Sequence, residues 1–224
     1  MKTIAAAAAV SMFLVAGAAA GTFKTGGTDR EGRTGMTGSA SGSAMMSDAS
    51  YMVVTSDSRL NWTGKKTGGE HYGTVRITEG AFRVSDGKMT AGDFVIDMTS
   101  ITVDDIESEG MNRKLVNHLK SEDFFNTGAH PRAYFKMKEG KFVKGDASRT
   151  DRYEITGTLT IKDISHDISF NAYVSEDGSM IKTDVIALDR TRWEVNFKSK
   201  TIFAELADNY IHDEMYISVE LAVR

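Results

Sequence analysis

The stretch WTGKKTGGEHYGTV, residues 62 to 75, gathers Trp62, two lysines and His71 around Gly64, Gly68, Gly69 and Gly73. Residues of these types can cradle a phosphate, hold a metal ion or turn one strand into the next. Phosphate binding needs main-chain N–H groups converging at the start of a helix. Here the chain instead runs on as Tyr72-Gly73-Thr74-Val75-Arg76-Ile77, with Val75 and Ile77 on one face and Thr74, Arg76 and Thr78 on the other. Neither nucleotide-binding glycine spacing is present. Gly64, Gly68 and Gly69 are therefore expected in turns, where positive φ is tolerated.

The other polar candidates are equally plain. His71, His118, His130, His166 and His212 are scattered and lack the close spacing of a zinc site, so no metal site is expected. His71 is expected to fix a turn or rim by hydrogen bonding. Asp104-Asp105 and Glu107–Glu109 form an acidic run without the glycine-centred spacing of a calcium loop, which reads as a solvated loop. Asp189 and Arg190 could pair, and Arg192 could meet a polar headgroup, against a default of surface pairing. With no cysteine and no Gly-x-Ser-x-Gly elbow, the chain offers no evident nucleophile, and an enzyme is not expected. A net charge of −4 gives no basic footprint for nucleic acid.

The elements that position these residues follow from composition and period. Residues 1–20, MKTIAAAAAVSMFLVAGAAA, join a basic Lys2, an apolar stretch and an Ala18-x-Ala20 ending, and read as a secretory signal cut before Gly21. Export is then expected, to a periplasm or beyond, with no stable membrane span after cleavage. Residues 21–50 are rich in Gly, Ser, Thr and Ala and read as a disordered leader or tether. Residues 51–224 are the size of one domain.

Period-two alternation dominates that domain, around 51–62, 72–85, 88–103, 133–143, 152–162, 164–174, 180–188, 192–198 and 213–223. Ser85-Asp86-Gly87 and Glu176-Asp177-Gly178 are hairpin connections. The fold class is therefore all-β with one or two short helices: a single antiparallel barrel of about eight strands, closed to remove its edges. One helix is expected in EGMNRKLVNHLKSEDFF, with Met111, Leu115 and Leu119 on one face, covering one end of the barrel as a lid. A second helical patch is expected around Phe203, Ala204 and Leu206.

The motifs WTGKKTGGEHYGTV, GDFVIDMTSITVDD, KLVNHLKSEDFFN, AYFKM after Pro131, ITGTLTIKDISHDISF, LDRTRWEVNF and MYISVELAV, in this order, resemble the YceI-like family of extracytoplasmic, lipocalin-like barrels across residues 51–224. The resemblance implies an elongated apolar interior holding a polyisoprenoid, such as an isoprenoid quinone tail. It requires no further cofactor and leaves room for a homodimer. Trp193-Glu194 departs from the family's usual small aromatic followed by glycine, a change that bears on the pocket's width.

The candidates to line such an interior are Trp62, Phe94, Ile96, Met98, Phe135, Met137, Ile155, Leu159, Phe170, Val185, Trp193, Phe197, Ile217 and Leu221, each on the more apolar side of its strand. Leu115, Leu119, Phe124 and Phe125 would close it as the lid, and His71 and Arg192 would stand at the rim. The alternative is a structural or partner-binding barrel, in which the same residues fill a solid core and the loops act.

Overall fold

The computed structural model describes residues 49–86, 88–143, 151–203, 205 and 209–224. The expected signal at 1–20, the leader up to residue 48, Gly87 of one hairpin, and Ala204 and Leu206 of the second helical patch lie outside the described residues. Phe203 is in no regular element and is exposed.

In chain order the elements are β1 (Ala49–Met52), β2 (Arg59–Lys66), β3 (Gly69–Ser85), β4 (Lys88–Asp97), α1 (Glu109–Lys120), β5 (Arg132–Val143), β6 (Asp151–Ile161), β7 (Ile164–Val174), β8 (Met180–Thr183), β9 (Ile186–Asp189) and β10 (Ile211–Ala222). They close into an antiparallel barrel of eight wall positions. Two positions are composite. β2 pairs with the first half of β3 and β1 with its second half, while β8 and β9 pair in succession with β10. The seam is sealed where Val53 bridges Val223, and where Met52 and Arg224 exchange main-chain hydrogen bonds of 2.9 and 3.1 Å.

β1 begins at Ala49, two residues inside the segment expected as leader: Ala49 pairs with Val84 and Ser50 with Arg83. Polar composition hid this strand, because main-chain pairing asks nothing of a side chain. The strand expected at 192–198 is instead a 3-10 turn, Arg190–Trp193, followed by further turns. Trp193, Val195 and Phe197 do alternate, but Glu194 and Lys198 have φ of 55° and 49°, which no strand sustains.

Among the three glycines expected in turns, Gly68 alone has positive φ, 80°; Gly64 and Gly69 lie within strands. The glycine with the sharpest steric role is Gly73. A Cβ there would stand 2.1 Å from the carbonyl oxygen of Thr102 and 3.0 Å from Trp62 Nε1. The missing side chain lets residues 101–105 run along β3, with Thr102 N–H donating to Thr74 O at 2.9 Å and Asp104 N–H to Tyr72 O at 2.8 Å. The Trp62 indole lies across Gly73 and donates to Thr102 O at 3.0 Å. The opening glycine-rich stretch is thus a hairpin that carries a strap.

α1 docks by its C-terminal turn. Leu119 is buried, and Phe124 is buried just beyond it. Arg113, Lys114 and Asn117 face solvent, as the period requires. Met111, expected in the buried stripe, is 57% exposed, because only the last turns of the helix reach the barrel. Its first turns are held by a polar contact: Asn112 Nδ2 donates to Val103 O at 2.7 Å and Ile106 O at 3.2 Å. No described helix is long and apolar enough to cross a membrane.

Candidate ligand cavity

The inward faces of the strands do not meet. They enclose a cavity of about 200 Å³ with an apolar wall, running from Leu119, Phe124 and Phe125 at the helix end to Phe82, Met89 and Leu221 near the other. Strand pleating explains the lining, since every second residue turns inward. β2 contributes Leu60 and Trp62; β4 contributes Phe94 and Ile96, with Met98 just after; β5 contributes Phe135 and Met137. Ile155 and Leu159 come from β6, Phe170 from β7, and Ile217 and Leu221 from β10. All of these except Leu60 are among the candidates named from the apolar side of each strand. The same parity also brings in Ile168, Ile186, Met215 and Val219, whereas Phe82 and Met89 reach the wall only because bulges in the β3–β4 pairing flip the inward face of each strand.

Four chosen residues lie elsewhere. Val185 is 69% exposed. Inward parity passes from Ile181 and Thr183 to Ile186 and Leu188, so the break between β8 and β9 turns Val185 outward. Trp193 is fully buried but off the cavity wall; its indole donates to Leu159 O at 3.2 Å and the His166 ring meets it edge-on at 5.2 Å. The departure at this position therefore fills the space behind the wall and does not set the bore. Phe197 is half-buried in an aromatic cluster, 5.4 Å from Phe124 and 4.6 Å from the His118 ring. Leu115 is half-buried against the core, one turn short of the cavity.

The polar groups gather at the helix end. Arg192, expected to face a headgroup, is exposed and lies over the outer Trp193 ring at 5.3 Å. Arg190 is the arginine on the cavity wall, 4% exposed. It does not pair with Asp189, whose carboxylate accepts from the Thr191 N–H and hydroxyl. The Arg190 guanidinium donates to His212 O at 3.0 Å, Ile211 O at 3.1 Å and Val195 O, with Asp213 Oδ1 at 3.5 Å. Burial lowers the Arg190 pKa, against the charges of Asp213 and Asp189. Burial pushes Asp213 up, but hydrogen bonds from Ser199 and Thr201 and the Arg190 charge prevail and hold it below the usual carboxylate value.

This cluster sits beside a bulge in the wall. β10 shifts register against β2 between Ile211 and Met215, and the exposed His212 and Glu214 of the bulge line the cavity with Thr63 and Gly64. At the rim, His71 Nδ1 is 2.7 Å from Asp105 Oδ2, and Tyr72 N–H donates to Asp105 Oδ1 at 3.1 Å. His71 therefore ties the strap to β3. His118, His130 and His166 each have their own partner: Asp123, Asp163 and the Arg192 carbonyl.

A closed antiparallel barrel with an apolar interior, capped by one helix, is a lipocalin-like architecture. Residues 51–223 match the YceI-like domain, and the chain belongs to that family. A UPF0312 protein of Pectobacterium atrosepticum is 25% identical over 149 residues, 66% of this chain and 72% of that protein. Protein YceI of Escherichia coli O157:H7 is 27% identical over 107 residues, spanning 48% of this chain and 50% of that protein. Among solved structures, BcnA of Burkholderia cenocepacia superposes with a TM-score of 0.58 at 19% identity, covering 77% of this chain and 99% of that one. A polyisoprenoid binding domain from Saccharophagus degradans gives 0.54 at 14% identity, covering 78% of this chain and 97% of that one.

Proposed function

We propose that this protein binds a polyisoprenoid chain, such as the tail of an isoprenoid quinone, inside the barrel and carries it outside the cytoplasm. The observation that carries the reading is the cavity: about 200 Å³ of unfilled space with an apolar wall at the centre of the fold. A stable core has no use for such a void, because unfilled space forfeits packing energy. Each buried five-carbon unit contributes about 3–4 kcal/mol before ordering costs, so a few units suffice for tight binding. Met89, Met98, Met137 and Met215 supply soft walls that repack around a flexible chain. Family membership and the fold shared with a domain described as polyisoprenoid binding support the ligand class.

In this reading the protein is a binder and not a catalyst. The ionisable cluster nearest the cavity is committed to structure, with Arg190 donating to three main-chain carbonyls. The signal-like residues 1–20 support a carrier that is exported, to a periplasm or beyond. Native mass spectrometry of protein purified from its own envelope, followed by lipid extraction, tests the proposal. The expected result is a co-purifying apolar chain of isoprenoid mass. Protein that emerges empty and takes up no isoprenoid would instead favour a barrel that acts through its loops. N-terminal sequencing is expected to begin at Gly21; Met1 retained on membrane-bound protein would overturn the assignment of compartment.

A further inference from the structure

Several large side chains of the cavity wall do not point along the barrel radius but lie across glycines of neighbouring strands. A Cβ at Gly157 would stand 2.4 Å from Phe135 Cζ. One at Gly80 would stand 3.0 Å from Phe94 Cδ1, and one at Gly92 would stand 3.1 Å from Phe94 Cε2 and from Met137 Cε. Pairing explains the placement, since Gly80 sits opposite Phe94 and Gly92 opposite Met137. The rings of Phe94, Phe135 and Phe170 touch in sequence, with centroids 6.1 and 5.5 Å apart, and form an aromatic band across β4, β5 and β7. Beyond the band, away from α1, the cavity continues between Phe82, Met89, Ala172, Ile181 and Leu221.

We propose that this glycine-seated band is the chain-length determinant of the cavity: the glycines hold the rings against the wall, and a ligand chain reaches the deep half only because they do. The inference rests on the lipid-binding reading above and assigns its specificity to named positions. A side chain at Gly92 has no free space, so it must displace Phe94 or Met137 towards the lumen. The third neighbour, Phe82 Cβ at 3.1 Å, is fixed to the paired strand β3, so the flexible ends of Phe94 and Met137 are the groups that give way. Gly157 is less useful as a probe, because its Cβ would also stand 2.6 Å from the Lys136 carbonyl oxygen.

The test uses the whole chain and two homologous probe series, isoprenoid alcohols from geraniol through farnesol to solanesol, and straight-chain alcohols of matching length. Affinity in the wild type is expected to rise with length. Gly92→Val is expected to leave geraniol binding within about threefold and to weaken solanesol by about tenfold or more, flattening the length dependence. Gly92→Ala should give a smaller shift in the same direction, and serves if the valine variant does not fold. Phe94→Leu, which thins the band, should steepen the dependence. Equal weakening at all lengths by folded Gly92 variants would overturn the band. Length discrimination seen only with the straight-chain series would uphold the band and remove the isoprenoid assignment, and a wild type that binds neither series would remove both.

Discussion

Glu194 sits at φ 55° and ψ 32°, a conformation that costs an L residue about 1 kcal/mol and costs glycine almost nothing. What the turn requires of it is its main chain. Its N–H donates to Thr191 O at 3.0 Å and its carbonyl accepts from Lys162 Nζ at 2.7 Å. Glu194→Gly keeps both bonds and removes the strain. A gain of about 0.5–1 kcal/mol is expected from urea denaturation midpoints, held down because glycine also enlarges the unfolded ensemble. A lowered midpoint would show that the carboxylate itself stabilises the turn. Arg190 is the opposite case, a side chain whose removal strands its partners. Arg190→Met leaves three carbonyls unpaired and the Asp213 carboxylate without its cation. A loss of about 3–5 kcal/mol is expected. Asp213→Asn in the same chain should return part of it, a coupling that a double-mutant cycle measures directly.

At the scale of elements, the strap of residues 101–105 and the C-terminal turns of α1 close the helix end by different physics. The strap is polar. Burial pushes Asp105 up, yet hydrogen bonds from His71 and the Tyr72 N–H, with the His71 charge, outweigh it and leave the carboxyl below its ordinary 3.8. A depressed carboxylate stabilises fully above its unfolded value, and that stabilisation is lost as pH falls through the lower folded one. Asp105→Asn is therefore expected to cost about 1.5–3 kcal/mol at neutral pH, by loss of charged hydrogen bonds. The gap to wild type should narrow only below pH 3.8, which denaturation across the acid range checks. A gap constant down to pH 2 would assign the cost to shape alone. The helix contact is apolar: Phe124→Ala is expected to cost about 3–5 kcal/mol and to speed ligand release, whereas Leu115→Ala, off the cavity wall, should cost less and leave release unchanged. Thermal melts and isoprenoid dissociation on the same two variants separate these outcomes. Strand alternation made most of the wall legible in the sequence, because inward parity is a local property that Phe94-Val95-Ile96 or Tyr153-Glu154-Ile155 carries by itself. What stayed hidden depends on pairing between distant strands. Thr183-Asp184-Val185 continues its alternation while the register against β10 slips, so alternation points Val185 inward and the structure turns it outward. Met111 keeps the helical period at a turn that is held by the polar contacts of Asn112 and does not reach the barrel. Gly73 shows no turn signal of its own, since its task is set by Thr102 on another segment.

For the whole molecule, closure is the property on which both stability and the cavity depend. The chain has no cysteine, so no disulfide holds the seam, and sealing falls to β1 and the end of β10. Here the composition of residues 21–50 and the structure make separate claims. Composition argues that this segment lacks the apolar residues to form a core, while the described chain shows its last two residues already in a strand. Two truncations distinguish the contributions. A chain that starts at Ala49 keeps all of β1, and its thermal midpoint is expected to stay within about 1 °C of the full chain. A chain that starts at Val54 loses the β1–β3 ladder, the Met52–Arg224 bonds and Val53, which is 8% exposed and fills the space over Gly80 with a methyl 2.7 Å from the place of a Cβ. Burial of one valine contributes about 1.5–3 kcal/mol and each hydrogen bond about 1 kcal/mol, so the seam is expected to be worth at least about 3 kcal/mol. That is a fall of about 6–12 °C for a domain of this size. The open seam lies at the deep end of the cavity, beside Phe82 and Leu221, so the shorter chain should also release a bound isoprenoid faster. A midpoint that drops as far on removal of residues 21–48 alone would show that the barrel extends beyond β1, and that composition misled on where the domain begins.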